Sequence, residues 1–197
     1  MDIIEDGKGK GYKAEVTTNN QLVVQAESIP SEGFQAQNGK GFIIHAECHT
    51  AVAASGGLMT ILNNDTAYDL EITRIYIDAC TLTPSDMIVT QVFDADISNG
   101  TDASLTAIVQ KNRNTAENFD LTVTVSDASS DMTYTGGTKY HRFAMSSMSS
   151  QQRDMRGTNI IPATKSVTFG WLTASGGNAT DGEIISLSVN VIKRLRV

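Results

Sequence analysis

Apolar and polar residues alternate most cleanly near the end of the chain, where Ile185, Leu187, Val189 and Val191 interleave with Ser186, Ser188 and Asn190. A period of two puts one set on each face of a strand, and this segment reads as a strand with one face in a core. Shorter runs at 42–47, 58–63, 87–93, 105–109, 119–126, 140–145 and 167–172 are bounded by turn-rich pieces such as Ile97-Ser98-Asn99-Gly100-Thr101-Asp102. The run 70–78 alternates from Leu70 to Thr73 and then turns almost wholly apolar, which predicts a strand covered on both faces. The stretch Met145 to Met155, rich in Ser, Met and Gln, reads as a long exposed loop or a short helix. The body count of about eight strands, good to about two, favours a jelly-roll-like two-sheet sandwich over a seven-strand immunoglobulin-like one.

The first forty residues follow a different pattern. Tyr12–Val16 and Leu22–Ala26 flank Thr18, Asn19 and Asn20, a small hairpin signal. Residues 28–40 are mostly polar and carry Pro30, Gly33 and Gly39, as a linker does. The expected organisation is an N-terminal β-arm and linker over 1–40 and a β-sandwich body over 41–197.

Composition supports the all-β reading. The 197 residues include 22 Thr, 17 Ile and 13 Val against 10 Leu, the β-branched balance that pleated strands favour. With 22 acidic and 15 basic residues the net charge is −7, which argues against a basic nucleic-acid-binding domain. No window reaches the 18 or so apolar residues of a membrane span. The opening Met1-Asp2-Ile3-Ile4-Glu5-Asp6 is acidic where a signal peptide needs a positive n-region, so the expected product is made in the cytoplasm of its host. Cys48 and Cys80 are then expected to stay reduced, as small buried hydrophobes. The sequons at Asn64, Asn99 and Asn178 read as turn residues.

Candidate chemistry is sparse. The chain lacks G-x-S-x-G, H-E-x-x-H and G-x-x-x-x-G-K-[ST] motifs, and it is read as a protein without catalysis or cofactor. Gly7, Gly9 and Gly11 follow no strand, so they suit a flexible arm better than a phosphate loop. His45, Cys48 and His49 are close in sequence, but on a strand positions 45 and 49 lie about 13 Å apart and 48 faces the other way, which disfavours zinc. His141 reads as a strand or interface histidine. Asp94, Asp96, Asn99 and Asp102 present oxygens of the kind calcium prefers, although Gly100 is displaced by one from the EF-hand glycine and the twelfth-position Glu is missing. The same residues also suit a turn in which Asp and Asn bond their own backbone. Lys193, Arg194 and Arg196 form a basic C-terminal tail on an acidic chain, a candidate docking segment and equally a solvated strand end.

Several stretches resemble accessory structural proteins of tailed bacteriophages. Asp6-Gly7-Lys8-Gly9-Lys10-Gly11-Tyr12-Lys13-Ala14-Glu15-Val16, followed by Asn20-Gln21-Leu22-Val23-Val24, is similar to a D-G-x-G-x-G-Y-x-A-x-V opening of such proteins. Leu58–Asn64, Leu70–Asp78, Ile97–Asp102 and Gln110-Lys111-Asn112 resemble their body in wording and order. The likeness covers most of 6–135; the last third matches mainly by strand character. It implies a capsid decoration, or cement, protein: a jelly-roll body, often a homotrimer, seated on the outer capsid surface and clamping neighbouring major capsid subunits. The arm, with Gly7, Gly9, Gly11 and Tyr12, and the tail, with Lys193, Arg194 and Arg196, are the expected partner-binding segments. Neither nucleic acid nor membrane is expected as a partner. Related sequences also occupy neck, tail or baseplate positions. The competing class is a virion-surface glycan-binding module using Tyr134, Tyr140 or Trp171, and a hydrolase ranks third.

Overall fold

The computed structural model describes residues 15–16, 22–23, 40–79, 86–103, 109–111, 120–146, 148–155, 159–174, 179 and 183–196. The chain divides into two compact units, Met1–Pro30 and Ser31–Val197. In the first, β1 (Glu15–Val16) and β2 (Leu22–Val23) pair antiparallel with Glu15 opposite Val23, which is the predicted hairpin.

The second unit is all strand and connection among its described residues. It runs β3 (Gly41–His49), β4 (Ser55–Asn63), β5 (Tyr68–Ala79) and β6 (Met87–Phe93). Next come β7 (Asp96–Ser98), β8 (Thr101–Asp102), β9 (Val109–Lys111), β10 (Leu121–Val125) and β11 (Thr133–Thr135). The chain ends with β12 (Thr138–Met145), β13 (Ser150–Asp154), β14 (Ile160–Ile161), β15 (Ser166–Thr173) and β16 (Ile184–Leu195).

Eight of these make the frame. One sheet has the order β13-β5-β16-β3 and the other β12-β6-β15-β4, and every pairing is antiparallel. The first strand lies beside the last, and β3 to β6 alternate between the two sheets. This is the expected jelly-roll order of two interlocked Greek keys, although β13 matches no predicted run and β10, from the predicted run 119–126, lies outside the frame. The connection from β6 to β12 carries the additions. From it β10 and β8 extend the β4 sheet beyond β4, and β9 extends the β3 sheet beyond β3. Its two ends, β7 and β11, pair as a separate ribbon.

Alternation explains the core. Ile185, Leu187, Val189 and Val191 of β16 are buried, while Ser186, Ser188 and Asn190 sit on the opposite, partly exposed face. The inward rows of the two sheets, among them Ile44, Ile75, Ile77, Val89, Phe169 and Trp171, meet in a single cluster. The run 70–78 departs from its expectation. Leu70 to Thr73 is the part buried on both faces, with Ile160 and Ile161 paired along its edge and Arg194 ion-paired to Glu71; Arg74, Tyr76 and Asp78 then alternate outward on a face that stays open. The outer face of the β4 sheet is instead partly covered. Gly57 N–H donates to Met132 O at 2.7 Å, and the Met132 side chain lies over the glycine, its Cε 2.6 Å from where a Cβ would stand.

The Met145–Met155 stretch contains a strand, not a helix. Ser150–Asp154 pairs with Asp78–Arg74 as the edge of the β3 sheet, and all five residues are exposed. It lacks alternation because neither of its faces is in the core. The run 105–109 lies mostly outside the described residues.

Candidate interaction surfaces

Chain geometry at the end of β6 determines what the aspartates do. Asp94 adopts a left-handed backbone (φ 52°) and turns back on β15: its N–H donates to Ser166 O at 3.1 Å, its Oδ1 accepts from Ser166 N at 3.3 Å, and its Oδ2 meets Lys165 Nζ at 3.2 Å. Asp96 opens β7, exposed, opposite Thr135. Asn99 (φ 61°) and Gly100 (φ 88°) form the left-handed pair that an Asn-Gly turn uses, joining β7 to β8. Asp102 Oδ1 accepts from Thr124 Oγ1 at 2.8 Å. Asp94 and Asp102 thus serve different neighbours, and among the described residues no three His, Cys, Asp or Glu side chains are grouped to hold a metal ion.

His45, Cys48 and His49 fall on β3 as a strand period requires. Cys48 is a free, fully buried thiol whose pKa burial pushes up to about 12. His45 lies on the opposite face with Nδ1 2.7 Å from Ser188 Oγ. Cys80, Gly7, Gly9, Gly11 and Tyr12 lie outside the described residues.

The basic tail is largely spent on the fold. Lys193 is buried on β16, where its ammonium meets Asp65 Oδ2 at 3.4 Å and lies 5.4 Å from the centre of the Tyr68 ring. Arg194 pairs with buried Glu71 at 3.1 Å. Arg196 is exposed and makes no ion pair with a described residue.

The aromatic candidates separate. Trp171, at 1% exposure, is core. Tyr134 lies on the outer face of β15, where a Cβ at Gly170 would overlap its ring. Tyr140 is 51% exposed on β12, edge-on to Phe93 and to His141. His141 Nδ1 lies 3.5 Å from Arg153 Nη1, and its pKa is lowered first by burial and then by the Arg153 charge.

No family model matches the chain, and no curated protein is significantly similar to it.

Two surfaces that sequence reading did not single out are visible in the fold. The open face of the β3 sheet holds a shallow depression of about 270 Å³ lined by Ile43, His45, Tyr76, Ser188 and Asn190. Its signal was present in the polar positions of β16, but the cross-strand partners that complete it come from residues far away in sequence. The second surface is the stacked pair of edge strands β12 and β13. Among their described side chains Phe143 and Met145 are buried, and most of the others are exposed.

Proposed function

We propose that this chain is a structural virion protein of a tailed phage, binding the outer surface of the capsid and bridging neighbouring major capsid subunits without catalysis. The observation that carries the reading is the jelly-roll strand order, in which the stretches resembling phage accessory proteins, Leu58–Asn64 and Leu70–Asp78, fall on consecutive strands of opposite sheets. A rigid sandwich with open edges suits a protein whose work is repeated contact, since rim contacts of modest strength add when many copies sit on one lattice. In this reading the Met1–Pro30 unit supplies an arm that pairs with or lies along a capsid subunit.

The test is co-sedimentation of the purified protein with heads stripped of accessory proteins. Saturable binding at a fixed ratio to the major capsid protein is expected, and deletion of residues 1–30 should leave a folded body that stays in the supernatant. Binding to tails alone would move the address to the neck or tail, and no binding to any particle would overturn the reading.

A second reading, a glycan-binding module, draws on the depression around Tyr76, His45, Ser188 and Asn190. Glycan-array binding that Tyr76→Ala abolishes would favour it.

A further inference from the structure

The sheet of order β12-β6-β15-β4-β10-β8 ends in two edges of opposite charge. At one end, β12 reads Thr-Lys-Tyr-His-Arg-Phe-Ala-Met: it carries Lys139 and Arg142 and no acid. Both cations are exposed, and neither makes an ion pair with a described residue. The acid closest to them along the neighbouring strand, Asp94, is held by Lys165. At the other end, β8 carries Asp102 and β10 is flanked by Asp120, Asp127 and Asp131, with no Lys or Arg in 101–103 or 120–132. Asp102, Asp120 and Asp131 are exposed. Asp127 is held ionised by hydrogen bonds from Ser129, which lower its pKa to about 2.

We propose that copies of this chain associate head to tail, the Lys139–Arg142 edge of one copy seating against the Asp102–Asp120–Asp131 edge of the next. Charge complementarity within one sheet selects a second copy as the occupant. A twofold contact of β12 with itself would set four cations against each other, whereas the head-to-tail contact neutralises both edges. Each copy carries one edge of each kind, so the contact repeats and closes into a ring when the rotation allows. Tyr140, half exposed between the two cations, provides apolar area at the centre of the seam. The inference does not depend on the capsid reading, because it concerns the isolated protein.

The experiment is light scattering and sedimentation velocity on the full chain. The wild type is expected at a whole-number multiple of 21.1 kDa, with its mass falling towards the monomer as salt approaches 1 M. K139E/R142E and D102K/D120K/D131K should each run at 21.1 kDa, and an equimolar mixture of the two should re-associate in alternation, into assemblies of even copy number, because each reversed edge then meets an opposite one. A monomeric wild type, salt-independent mass, an oligomer that survives in either variant, or a mixture that stays monomeric would overturn the proposal. Circular dichroism and thermal melting of each variant establish that it is folded, and the salt series on the wild type needs no variant at all.

Discussion

Lys193 Nζ lies 3.4 Å from Asp65 Oδ2, with the two side chains only 7% and 15% exposed, so the base that most resembles part of a docking tail instead locks the turn between β4 and β5 to the last strand. Asp65 Oδ1 accepts from the N–H groups of Ala67 at 2.9 Å and Tyr68 at 3.2 Å, and the Tyr68 ring faces the ammonium groups of both Lys193 and Lys40. Burial by itself raises the Asp65 pKa, yet these hydrogen bonds and the Lys193 charge together lower it below 3.8. The stability this carboxylate contributes is therefore present above pH 3.8 and lost as the pH falls through its lower folded value. Asp65→Asn should cost about 2 kcal/mol at neutral pH, between an exposed pair and a fully buried one, and should flatten the acid limb of the stability curve. Urea melts as a function of pH check both.

Tyr134 occupies the space a side chain at position 170 would need. Gly170→Ala should destabilise the protein by about 1–3 kcal/mol through overpacking. Adding Tyr134→Ala should relieve part of that cost, so a double-mutant cycle by denaturant melting should give a coupling energy well away from zero.

The buried Cys48 thiol, with its pKa pushed up to about 12, holds almost no thiolate at neutral pH. In a Cys80→Ser background it should resist a thiol reagent at pH 8 while the protein is folded and react fully in denaturant. Rapid labelling of the native protein would place the residue at the surface.

His141 has a folded pKa below 6.5, so its neutral ring is favoured in the native state. The sign follows: its contribution is intact above pH 6.5 and is lost as the pH falls through that value towards the folded one. An NMR titration should find the His141 ring titrating lower than a model imidazole, and Arg153→Gln should move it back upwards.

The strands with one face in the core were legible because their side chains record it. Ile185 to Val191 alternate in sequence as they do in space. Ser150–Asp154 was not legible, since a strand exposed on both faces has no hydrophobic period to betray it, and its pairing with Asp78–Arg74 is a long-range fact. The apolar run 70–78 misled for a related reason: Tyr76 adds to hydrophobicity while its ring stands on the open face beside Arg74. The Asn99-Gly100 turn was readable from its own residues, whereas the work of the aspartates around it depended on Ser166, Lys165 and Thr124, which the sequence places far away. The same holds for Lys193, whose partner Asp65 is fixed by the β4–β5 turn.

The proposed seat on the capsid is open to electron cryo-microscopy of virions made with and without the protein. Difference density of jelly-roll shape is expected at repeated symmetric positions on the outer face of the head, each copy touching more than one capsid subunit. Identical head maps, with the missing density at the tail or nowhere on the particle, would contradict it.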